Sequence, residues 1–128
     1  MEYIETIWED KAACIASVTV REGWSWDELD NAIRKLRAMG SESGCPISTI
    51  FTFETASMPL GYLAPLMDLP YLIRPDVGLI VFVGTRIQMR AMTAIMGQLF
   101  LTTRATMRYV QSRAEALEVI DTYRERMF

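Results

Sequence analysis

The sequence predicts an α/β fold: a mostly parallel five-stranded sheet with an antiparallel N-terminal edge strand and four helices, in the order ββαβαβαβα. Three observations point there. Short β-branched and aromatic runs alternate with segments of helical periodicity, which implies crossover connections and parallel pairing. Ser25-Trp26-Asp27-Glu28 and Ser112-Arg113-Ala114-Glu115 both have the form of a capping box, where a helix begins. Val77–Val83 is apolar on both faces apart from Gly78, as a central strand covered on two sides must be.

The elements follow in order. Glu2–Trp8 reads as a strand, and Glu9-Asp10-Lys11 as a polar connection of hairpin length. Ala12–Val20 is a second strand, with Cys14, Ala16, Val18 and Val20 on one face and Ile15, Ser17 and Thr19 on the other. The helix capped by Ser25 carries Leu29, Ala32, Ile33, Leu36 and Met39 at helical spacing and should end in the polar loop Gly40–Gly44. Ile47–Phe53 is β-branched and aromatic, hence a strand. Pro59 suits the first turn of a short helix, because its missing N–H costs nothing there. After Val77–Val83, Gly84-Thr85 should turn into a long helix, Arg86–Leu101. Ala105–Val110 is a further strand, and the last helix should turn Ala116, Leu117, Ile120, Tyr123 and Met127 inward.

A chain of 128 residues is the length of one domain, 1–128, and 51% hydrophobic residues suffice for a core without a metal or a disulfide. Cys14 and Cys45 stand far apart with no CxxC pairing, so both are expected as small buried apolar residues. The net charge of -3 argues against nucleic-acid binding, which wants a basic face. Charge is uneven, however: Arg74, Arg86, Arg90, Arg104, Arg108 and Arg113 face a single acid, Asp76, between positions 74 and 113. The opening MEYIETIWED lacks a basic start and an apolar run, and no stretch of eighteen apolar residues exists. The expectation is a cytoplasmic protein that neither spans nor enters a membrane.

Three passages carry a family resemblance: Gly23-Trp24-Ser25-Trp26-Asp27-Glu28-Leu29, Val77-Gly78-Leu79-Ile80-Val81-Phe82-Val83-Gly84, and Met107 through Leu117. Together they resemble the STAS domain, the family of the bacterial anti-sigma-factor antagonists and of the cytoplasmic domains of sulfate transporters. The Trp-x-Trp passage is also similar to small stand-alone bacterial proteins of unassigned role. The resemblance covers nearly the whole chain and implies a STAS-like fold and a regulatory protein partner. One departure matters. Family members of the antagonist type carry Asp-Ser-Ser-Gly after the third strand, with the second serine as phosphoacceptor. Here the stretch is Phe53-Glu54-Thr55-Ala56-Ser57-Met58-Pro59. Ser57 reads as an N-cap for the Pro59 helix, with Ser57 or Thr55 as a phosphoacceptor the alternative.

The residues offer little catalysis. With no histidine, Ser-His-Asp, Cys-His and the usual zinc sets lose their commonest member, so no catalytic residue, metal or cofactor is expected. Lys11 sits in the polar hairpin turn and Lys35 beside Leu36 on an amphipathic helix, and neither reads as a desolvated base for a Ser–Lys site. Gly84-Thr85-Arg86 is the best small-molecule candidate: amides opening a helix can hold an anion, and Arg86 adds charge. The strongest surplus is apolar. Within Arg86–Leu101, Met89, Met92 and Met96 form one ridge beside Leu99 and Phe100, a wider apolar arc than one sheet face requires. The expected function is therefore a non-enzymatic interaction or regulatory domain that self-associates as a homodimer through apolar helices. The alternative is an anion-binding module at Gly84–Arg86.

Overall fold

The computed structural model describes residues 3–55, 78–84 and 107–127. Its elements are β1 (Ile4–Asp10), β2 (Ile15–Val20), α1 (Trp26–Ser43), β3 (Ser48–Phe53), β4 (Ile80–Val83), β5 (Met107–Val110) and α2 (Arg113–Met127). The strands lie in the order β1-β2-β3-β4-β5. β1 is antiparallel to β2, and the remaining pairs are parallel.

The expected arrangement, a STAS-like ββαβαβαβα order with four helices, is corrected. The described elements run ββαβββα, with two helices. Both other expected helices, the one at Pro59 and Arg86–Leu101, fall outside the described residues.

Two-sided burial organises these elements. Along β2 and β4 successive side chains point to opposite faces. Ala16, Val18, Val20, Ile80 and Phe82 join one buried cluster, which α1 closes with Trp26, Leu29, Ile33 and Leu36. Ile15, Val81 and Val83, with Leu79 just before β4, join the other, which α2 closes with Ala116 and Ile120. Each such aliphatic side chain contributes roughly 1.5–3 kcal/mol on full burial. Phe82 lies between Phe51 and Phe53, with ring centroids at 5.4 and 6.1 Å, tying β3 to β4 on the α1 side.

Several boundaries move for local reasons. β1 continues to Asp10, because the register shifts between Trp8 and Asp10 and absorbs Glu9 as a bulge. The hairpin turn is then residues 11–14. Asp10 Oδ1 accepts the Ala13 N–H at 3.1 Å, and the Cys14 N–H donates to the Lys11 carbonyl at 3.1 Å. Cys14 takes φ 57°, a left-handed conformation, so β2 starts at Ile15 rather than Ala12. α1 runs through the expected Gly40–Gly44 loop to Ser43, where Gly44 takes φ 67° and its N–H closes on the Gly40 carbonyl. Ser25 caps α1 as expected, accepting the Glu28 N–H at 3.2 Å. The Glu28 carboxylate does not turn back to Ser25; it accepts the Tyr3 N–H at 3.0 Å and so fastens the start of β1.

The cysteines overturn an expectation. Cys14 and Cys45 form a disulfide, with Cα atoms 6.6 Å apart, and neither belongs to a buried cluster. Sequence spacing alone gave no sign of it, because the two meet only once α1 folds back over the sheet. The bond joins the β1–β2 turn to the turn before β3.

Two stability outcomes follow from this packing. A Cβ on Gly78 would stand 2.8 Å from Ser48 Oγ and 2.9 Å from the Ile47 carbonyl carbon and oxygen. Backbone cannot yield as a side-chain tip can, so Gly78→Ala should lower the unfolding free energy by about 1–3 kcal/mol in urea denaturation. Cys45→Ser opens a covalent loop of sequence separation 31 and should lose about 3–4 kcal/mol in the same measurement.

Candidate functional site

Ligands of open α/β sheets favour the carboxyl ends of the parallel strands. Thr55 and Gly84 lie at that edge, just beyond β3 and β4, whose Thr52 and Val83 are paired. The edge is already bonded. The Gly84 N–H donates to the Val110 carbonyl at 3.3 Å, so an anion there would have to rely on the amides that follow. The Glu54 N–H donates to the Val20 carbonyl at 2.8 Å, and the Glu54 side chain meets Arg21 at 3.5 Å. That ion pair is about half exposed and contributes little. Ser57, Thr85, Arg86, Met89, Met92, Met96, Leu99 and Phe100 lie outside the described residues.

A larger hollow opens at the opposite end of the strands. Leu79, at the entry to β4, and Arg108 on β5 face Glu118, Val119, Thr122 and Tyr123 of α2 across a volume of 320 Å³. Helical spacing explains the α2 contribution: positions 118 and 122 are one turn apart, beside the half-buried Val119 and Tyr123. The lining offers a cation, a carboxylate and two hydroxyl-bearing residues, with Leu79 and Val119 apolar. Its charged groups, a guanidinium and an exposed carboxylate, can orient a small polar molecule. From the sequence Arg108 was legible only as one arginine among six, because nothing in the linear order joins it to Glu118.

A second hollow of 170 Å³ separates α1 from β1 and includes Thr6, Glu28, Asn31 and Lys35. Its charged groups serve the edge strand. Lys35 Nζ donates to the Thr6 carbonyl at 2.8 Å, while Glu28 holds the Tyr3 amide. An unpaired edge invites pairing with another chain, and a lysine laid across it blunts that tendency.

The third chemical feature is the disulfide corner. The Cys14 carbonyl accepts two donors: the Ser48 N–H at 3.0 Å, which opens the β2–β3 ladder, and Arg124 of α2 at 3.1 Å. Cys45 Sγ lies 3.4 Å from Ser43 Oγ. Hairpin, α1, β3 and α2 all meet here. Among the described residues, no three or more His, Cys, Asp or Glu side chains gather to hold a metal, and no helix is long and apolar enough to cross a membrane.

Compared with protein-family models, curated proteins and solved structures, the chain matches none.

The Lys35 contact yields a direct test. Lys35→Ala removes the donor from the Thr6 carbonyl and should cost about 1 kcal/mol in thermal or urea unfolding. The bared edge should also raise light scattering on storage relative to the parent.

Proposed function

We propose that this is a non-enzymatic interaction domain with a regulatory role, acting as a homodimer. One observation carries the reading: Ile7, on edge strand β1, is a large apolar side chain left 49% exposed. It pairs in register with Ser17, on the side of the sheet that α2 closes over β3 and β4. Thr19 and Thr52, paired with each other, continue the same strip and are only half-buried. A strip of this kind, with an exposed apolar side chain at the sheet edge beside small hydroxyl residues, suits a protein surface better than a solute.

A second copy is the partner that fits. The acidic first half of the chain and its arginine-rich later part are complementary in sign, and a two-fold pairing would satisfy both reciprocally. The methionine ridge Met89, Met92 and Met96, with Leu99 and Phe100, would supply adaptable apolar contacts to the same association. The passages that resemble regulatory bacterial domains favour regulation over turnover. Five of the described carboxylates also serve the fold: Asp10 and Glu115 accept turn amides, Asp30 and Glu54 pair with Arg34 and Arg21, and Glu28 holds β1. A cytoplasmic setting belongs to this reading, with the disulfide as a reversible bond there.

Size-exclusion chromatography with light scattering at tens of micromolar should return twice the chain mass of 14.6 kDa. Met92→Glu should weaken association at least a hundred-fold, roughly 2.7 kcal/mol, with an unchanged circular dichroism spectrum. Ile7→Lys tests the sheet strip separately. A clean monomer for the parent chain would overturn the proposal.

A further inference from the structure

The disulfide has the marks of a bond made to be opened. It connects two turns, both cysteines are partly exposed, and the two buried clusters close without either of them. Its Cα separation of 6.6 Å lies toward the wide end of the usual span, about 4.4 to 6.8 Å. Reduction would therefore leave the apolar core in place.

The surroundings of the two sulfurs differ. At Cys14, Arg124 brings a guanidinium to the residue's own carbonyl, at 3.1 Å. Lys11 and Asp10 in the same turn are opposite in sign, as are the paired Glu9 and Arg113, and Arg124 adds a further cation. A cation beside a cysteine favours its thiolate, and a thiolate of lower pKa leaves faster in exchange. At Cys45, Ser43 Oγ lies 3.4 Å from the sulfur. The Ser43 hydroxyl donates to the Gly40 carbonyl at 3.2 Å, which leaves its oxygen an acceptor toward Cys45. A disulfide sulfur has no proton to give it, whereas a thiol does. Ser43 thus suits the thiol form of Cys45, while Arg124 brings a cation to the Cys14 backbone.

We propose that Cys14–Cys45 is an exchange site for a dithiol oxidoreductase, attacked at Cys45, with Cys14, whose carbonyl Arg124 bonds, as the leaving thiolate. One thiolate of the reductant bonds to Cys45 Sγ, the Cys14–Cys45 bond breaks, and its electron pair goes to Cys14 Sγ. The second thiol of the reductant then attacks the mixed disulfide and frees Cys45. The chain gains two electrons and two protons, and the dithiol is oxidised to its own disulfide. The site is independent of whether the chain dimerises.

The test uses the native full-length chain and thioredoxin as the dithiol probe. Reduction is followed by quenching with an alkylating agent and mass analysis, and thioredoxin lacking its resolving cysteine traps the adduct. The expected results are complete reduction under native conditions, a trapped adduct on Cys45, and reduction slowed roughly three-fold in Arg124→Gln. Arg124→Lys, which keeps the cation, should restore the rate, and in denaturant all three chains should react alike. A bond that resists native reduction yet opens in denaturant, or an adduct trapped on Cys14, overturns the proposal. So does an Arg124→Gln variant reduced at the parent rate. If Arg124→Gln does not fold, the parent's trapped adduct and the Arg124→Lys rate decide.

Discussion

The rest of the structure hangs on one constraint: β2, β3 and β4 bury side chains on both faces and must be covered twice. A strand sends alternate side chains to opposite sides, so Val18 and Phe82 need a roof on one face while Ile15 and Val81 need one on the other. α1 and α2 are those roofs. The parallel step from β2 to β3 takes its length from α1, since parallel neighbours cannot be joined by a tight turn. Gly78 belongs to the same constraint: the chain enters β4 so close to Ile47 and Ser48 that no side chain fits.

What the sequence disclosed depended on how far each signal reached along the chain. Helical spacing of Leu29, Ile33 and Leu36, the serine caps and the two-sided run before Val83 are local, and each was readable. Val77 itself falls outside the described residues, and the strand there begins at Ile80. The extension of α1 to Ser43 was missed because glycine at position 40 and serines at 41 and 43 read as a loop, whereas the left-handed cap sits at Gly44. The four-helix order does not describe the elements observed: two helices stand among the described residues, and the stretches read as the other two lie outside them. The disulfide escaped entirely. Cys14 and Cys45 are brought together by a helix, and no local rule joins residues across one.

The polar groups tell a similar story. Capping rules anticipated that Ser25 and Ser112 would accept amides, and they do. They did not anticipate that Glu28 would serve β1 rather than its own helix, because that choice belongs to tertiary structure. Arg108 and Glu118 line one hollow for the same reason. Long side chains were legible as charges, but their partners were not. Trp26 shows the opposite case: its indole N–H is buried without a hydrogen-bond partner, while its ring makes an edge contact with Trp24, so packing outweighs hydrogen bonding there.

The covalent link between Cys14 and Cys45 also divides the chain mechanically. Residues 15–44, a whole strand and a whole helix, form a ring closed at one corner. Tension applied to the two termini would run through the bond and bypass that ring. About 100 Å of contour would stay hidden from an extending force until the sulfurs separate. The same thirty residues are then elastic in one chemical environment and inextensible in another.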